Sequence, residues 1–240
     1  MKKISAIAWA EQYKMYSRGN FIAVSLFSAI ILFQISLSVR LESGIERGMI
    51  VSSYEFHKLA SRFSYNIVLT AIPLIYIANL GWEFKNGIVH RTLVSGISRT
   101  QYHLGKIIQA IYWSFAGSLL VLVFRLFTGL LYQIPFHFSW GEFVKAIATC
   151  FFLCCLFSTF VFLTKKVSLS LLLFFAYSIG EGIIVMYFKK KGISTYFPFY
   201  SAVDFMRGEG GVEWRAFALP LYTALLIVLQ RRLMQMADLF

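Results

Sequence analysis

Residues 19–39 read GNFIAVSLFSAIILFQISLSV, and residues 63–82 read FSYNIVLTAIPLIYIANLGW. Neither stretch carries a charge, and each has the roughly 20 residues a helix needs to cross the hydrocarbon core of a bilayer. Arg18 and Arg40 bracket the first, Arg62 and Glu83 the second. No small-residue cleavage pattern follows the first run, so it reads as a retained span rather than a signal peptide. Pro73 lies within the second, which membrane helices tolerate. Trp82 closes that run where an interfacial aromatic belongs.

The same pattern recurs along the chain. Further apolar runs cover 107–131, 146–164, 167–188 and 215–230. Pro220 is expected in the first turn of the last run, where proline costs little. The sequence therefore predicts an all-α integral membrane protein. It forms a single transmembrane domain over 1–240, with six spans. Composition agrees. Of the 240 residues, 58% are apolar and only 14% charged, against about 25% charged in a soluble domain. A soluble fold could not bury this much apolar surface, and a disordered chain would need low hydrophobicity. Three cysteines are too few for a disulfide-dense secreted scaffold.

The net charge is +12. The basic residues sit mostly at the edges of the apolar runs, where they meet headgroups and set orientation, so nucleic acid is not an expected partner. With the N-terminus inside, basic residues divide almost evenly between the two sides. Lys2, Lys3, Lys14 and Arg18 before the first span favour both termini being cytoplasmic. Ile4, Ile7, Ala8, Met15 and Tyr16 recur near helical spacing among these charges, as in an interfacial helix. Only Thr164–Val167 separates the fourth and fifth spans, so these form an antiparallel hairpin. The segment 189–214, KKKGISTYFPFYSAVDFMRGEGGVEW, is too aromatic for a solvated loop. It reads as a re-entrant or surface element before span six.

Residues 81–107, GWEFKNGIVHRTLVSGISRTQYHLGKI, form the basic loop between spans two and three. Ile88, Thr92, Leu93 and Ser95 alternate with His90 and Arg91, so a helix there has one apolar and one basic face. A partner could bury the apolar face. A cytoplasmic loop that merely obeys the orientation rule would have a similar composition. The arrangement of Glu83 at the span end, Gly87, a short amphipathic helix, Ser98-Arg99 and Gly105-Lys106 resembles the membrane subunits of the type-2 ABC exporters, the ABC-2 permeases. Gly96-Ile97 departs from the proline that many relatives carry before the Ser-Arg pair. YFPFYSAVDFMRG resembles the family's outer re-entrant segment. The resemblance implies a cytoplasmic coupling helix that docks on separate ABC ATPase subunits through Glu83, Gly87, Ile88, Arg91, Thr92, Leu93, Ser98 and Arg99. It further implies a second permease subunit, identical or related, and a bacterial cell membrane. The cargo would be a peptide, antibiotic or other amphipathic compound, as in bacteriocin self-immunity.

Two charges fall inside spans. Arg125 and Glu181 both lie toward the outer side, where they could pair, or where Arg125 could snorkel alone and Glu181 meet a water-filled cavity. Cys150, Cys154 and Cys155 have no histidine near them and read as small buried residues. No metal or other cofactor is expected. The chain lacks G-x-x-x-x-G-K-[ST], H-E-x-x-H and G-x-S-x-G, so it has no P-loop of its own and neither of the commonest hydrolase designs. An ion-coupled secondary transporter or an intramembrane enzyme is the alternative. The former would be expected to show more intramembrane carboxylates than Glu181.

Overall fold

A computed structural model of the protein describes residues 71–131, 139–188, 197–198, 202 and 212–236. The described residues form helices, with no strand. These are α1 (71–85), α2 (Ile88–Val94), α3 (Arg99–Leu131), α4 (Trp140–Thr164), α5 (Val167–Phe188) and α6 (Val212–Met236). Three of them, α3, α4 and α5, are long and apolar enough to cross a membrane. The expected interfacial helix, the first span and the start of the second lie outside the described residues. So does most of the re-entrant segment, of which Phe197 and Pro198 are half-buried and Ala202 is fully buried.

Two helices begin well before their apolar runs. The runs open at 107 and 146, whereas α3 opens at Arg99 and α4 at Trp140. Capping sets these starts. Ser98 Oγ accepts from the Gln101 backbone N–H at 3.2 Å, and the Gln101 carboxamide oxygen accepts from the Ser98 N–H at 3.0 Å. This reciprocal pair is a capping box. Ser139 Oγ similarly accepts from the Glu142 N–H at 3.5 Å. At 33 residues α3 is about 50 Å long, well beyond a hydrocarbon core of about 30 Å, so its ends stand clear of that core. Pro220 corrects another expectation. Because α6 opens at Val212, the proline lies about two turns inside the helix rather than in its first turn.

The central element is α4, which packs on α3, α5 and α6. Its apolar stretch is 72% buried, against 22% for α5. Phe157 of α4 stacks on Phe174 of α5, and Phe162 meets Phe84 edge-on. Hydroxyls within the bundle are turned back on their own helices. Ser114 donates to the Ala110 carbonyl, Ser118 to that of Ser114, and Thr159 to that of Cys155. Satisfied in this way, small polar residues allow close helix packing in an apolar medium.

The expected hairpin is formed. Lys165 takes a left-handed φ of 56° at the C-cap of α4, and Thr164 Oγ1 lies 2.6 Å from Ser170 Oγ across the turn. Gly81 lets α1 approach the start of α5, because a Cβ there would collide with Val167. The 86–98 loop, the 164–167 turn and the C-terminal end of α6 thus gather at one end of the bundle. This is the loop end.

Candidate functional site

The loop end is built around the first two turns of α3. Arg99, Tyr102, His103 and Lys106 are spaced i, i+3, i+4 and i+7 and share a stripe of that helix. The structure divides them between two partners. Tyr102 and Lys106 face α1. Lys106 Nζ lies 2.7 Å from Glu83 Oε1, and the Tyr102 hydroxyl donates to Glu83 Oε2 at 2.7 Å. Both side chains of the ion pair are buried, at 2% and 6% exposure. Lys106 also donates to the Gln109 carboxamide oxygen at 3.3 Å, and the Tyr76 hydroxyl donates to the Lys106 carbonyl at 2.9 Å. A buried pair of this kind is held in place by its geometry and its extra hydrogen bonds rather than by net attraction.

Arg99 and His103 face α6. The Arg99 guanidinium donates to the carbonyls of Gln235 at 2.7 Å and Met234 at 3.3 Å. A cation at the C-terminal end of a helix meets both unsatisfied carbonyls and the negative end of the helix dipole. His103 Nε2 lies 3.2 Å from Gln230 Oε1. Because a carboxamide oxygen only accepts, that nitrogen carries the proton. The Gln230 amide then reaches the Cys155 carbonyl, Ser158 Oγ and Thr159 Oγ1 at 2.6–2.9 Å. One buried glutamine therefore ties α6 to α3 and α4.

The short helix α2 hangs from this base. Gly87 precedes it at φ 64° and Gly96 follows it at φ 90°. Both positions lie in the left-handed region that glycine adopts without penalty. Val89 is buried at 2%, and Leu93 packs against the same core. Thr92 Oγ1 donates to the Ile88 carbonyl, which keeps its hydroxyl within the helix. Arg91 is exposed, and so is Val94, at 72%.

The residues singled out in the sequence thus fall into groups. Glu83, Leu93 and Arg99 turn inward to structural partners, and Ser98 caps α3. Gly87 sets the turn into α2, whereas Ile88 and Thr92 are half-buried and Arg91 faces outward. Val89, Val94, Tyr102, His103, Lys106 and Gln230 were not among the candidates. The capping box S98-x-x-Q101 and the i, i+4 pair Tyr102 and Lys106 were visible signals for part of this set.

Within the spans, Glu181 is 3% exposed and shares a face of α5 with Ser170, Phe174 and Val185. The side chain of Arg125 lies outside the described residues, and with it the proposed Arg125–Glu181 pair. Cys150, Cys154 and Cys155 are free thiols, all buried. Among the described residues no group of three or more His, Cys, Asp or Glu side chains is placed to hold a metal. No protein-family model matches the chain, and no curated protein matches it.

Proposed function

We propose that the protein is the permease subunit of an ATP-driven exporter of the ABC-2 type, working as a homo- or heterodimer with cytoplasmic ABC ATPase subunits on its 86–98 loops. The chain itself performs no covalent chemistry. ATP binding and hydrolysis on the partner would move α2, and α2 would move the spans. The observation that carries this reading is the mounting of α2. One side of it, Val89 and Leu93, is anchored in the chain's own core. The other leaves Arg91 and Val94 exposed, three residues apart and so neighbours on the helix surface. An anchored element with an exposed apolar tip and a cation suits a docking knob, since interface energy concentrates in a few residues that become buried on binding. The cargo class, a peptide, antibiotic or other amphipathic compound, follows from the family resemblance alone, as does the bacterial cell membrane; the inward-facing termini follow from the basic residues before the first span.

The test uses Val94→Asp and Arg91→Glu in the full chain, expressed with a candidate ABC ATPase from the same genome. Both residues lie outside the apolar runs, so membrane insertion should be unchanged. Losing a hot spot costs about 2 kcal/mol or more, roughly thirtyfold in affinity, so co-purification of the ATPase should fail. Lys145→Glu, on α4 near the opposite end, should leave it intact. Full partner binding and transport by both loop variants would rule out the coupling role.

Burial of Glu181 in a membrane-crossing helix favours a second reading, an ion-coupled transporter. That reading expects transport without any ATPase, driven by an ion gradient and lost in Glu181→Gln.

A further inference from the structure

The loop end carries a ring of cations, of which the exporter reading uses only Arg91. Lys165 and Lys166 occupy the α4–α5 turn, and Arg231 and Arg232 lie on the outer surface of α6 just before its C-terminal end. All four are exposed. Lys85 and Arg91 extend the ring beside them. Two of the described carboxylates lie away from this surface. Glu83 is buried against Lys106, and Glu142 belongs to the other end of α4.

What distinguishes this ring from an ordinary basic surface is the material directly beneath it. Leu163 and Leu169, flanking the lysine pair in sequence, are 52% and 44% exposed. Val228 and Leu229, one turn before the arginine pair, are 55% and 45% exposed. The occupant must therefore place an anion against Lys or Arg and an apolar chain against Leu or Val within the same few ångströms. A purely acidic surface with no apolar part meets the first requirement and fails the second. A phospholipid with an anionic headgroup meets both. Arg231 lies five residues before the end of α6, about 7 Å down the helix, where a long side chain can lie along the apolar surface and lift its guanidinium to headgroup depth.

We infer that the loop end is a binding surface for anionic phospholipid, with two headgroup stations, Lys165–Lys166 and Arg231–Arg232, on opposite flanks of α4. The inference needs only a membrane-spanning chain and holds for either transport mechanism.

The full-length protein is purified and placed in nanodiscs of phosphatidylcholine, alone or mixed with phosphatidylglycerol. Retained lipid is then identified by native mass spectrometry. The wild type should retain phosphatidylglycerol preferentially. Each cation near an anionic surface is worth roughly fivefold in affinity, so the Lys165→Gln/Lys166→Gln and Arg231→Gln/Arg232→Gln pairs should each weaken retention by at least that factor. Lys145→Gln should change nothing, and Lys165→Arg/Lys166→Arg should keep the preference. Salt titration of the unmodified protein provides a measurement that does not depend on a variant folding, and retention should fall as salt rises. Equal retention of the two lipids by the wild type would overturn the inference. So would an undiminished preference when both pairs are replaced. Displacement of the lipid by inorganic phosphate or a soluble oligoglutamate at matched concentration would also overturn it, by showing that the acyl chain plays no part.

Discussion

Removing Lys106 should destabilise the protein more than removing Lys106 and Glu83 together. The two charges are 2.7 Å apart and buried. At an effective dielectric constant of about 20 their gross attraction is roughly 6 kcal/mol. Taking each ion out of water costs several kcal/mol, so the net worth of the intact pair is small. Lys106→Met removes the attraction but leaves the Glu83 carboxylate buried with the Tyr102 hydroxyl. Breaking a buried pair in this way typically costs about 3–5 kcal/mol. In a chain of this length that corresponds to a melting-point drop of roughly 6–20 °C. Glu83→Leu deprives the buried Lys106 ammonium of its carboxylate while leaving the Gln109 oxygen at 3.3 Å, and should cost a similar amount. The double variant strands neither charge and should recover most of the loss, giving a coupling energy of about 2 kcal/mol or more. Thermal unfolding in detergent, followed by size-exclusion of a fluorescent fusion, measures all four proteins side by side. Additive losses within about 0.5 kcal/mol would refute the reasoning, as would a Lys106→Met protein as stable as the wild type.

Gly81→Ala should destabilise by about 1–3 kcal/mol, because its Cβ would overlap the Val167 side chain; adding Val167→Ala should restore much of the loss in the same melting assay. Gln230→Leu removes the hydrogen bonds to Cys155, Ser158 and Thr159 and strips His103 Nε2 of its acceptor. A loss of about 1–3 kcal/mol is expected, and faster hydrogen exchange across α6 would locate it. Ser98→Ala breaks the capping box and should cost about 0.5–2 kcal/mol, with exchange rising at residues 99–102 and unchanged in α5.

The three helices long and apolar enough to cross a membrane were legible because a bilayer imposes its thickness on the sequence. A run near 20 residues long is a physical measurement, and the apolar run 167–188 coincides with helix α5. Helix starts were less legible because the bilayer does not set them. Ser98 and Ser139 do, through S-x-x-Q and S-x-x-E patterns that apolar counting passes over. Glu83 was noticed, yet its partner was not. Lys106 reads as one more cation flanking a span until the fold turns it inward onto α1. Which face of α2 packs on the chain's own core was not legible for a simpler reason. Seven residues make barely two turns, so Ile88 with Thr92 and Val89 with Leu93 are equally good i, i+4 stripes. Only the position of the neighbouring core decides between them, and it selects Val89 and Leu93.

That choice bears on how a signal could travel. If α2 had buried Ile88 and Thr92 in a partner and kept nothing for its own chain, the loop could swivel on Gly87 and Gly96 without disturbing the spans. Instead, Val89 and Leu93 hold it to the core, Glu83 and Lys106 fix the end of α1 to α3, and Arg99 fixes the start of α3 to the last carbonyls of α6. A force applied at Arg91 or Val94 would therefore load α1, α3 and α6 together. Under the exporter reading this is the mechanical requirement for a coupling element, since packed elements linked by specific contacts can carry a displacement between sites. The same logic gives a decisive contrast. Arg99→Gln keeps α2 and the Glu83–Lys106 pair but releases α6, so it should preserve ATPase docking while reducing transport per ATP hydrolysed. Loss of docking in that variant would place Arg99 in the interface itself and remove α6 from the path.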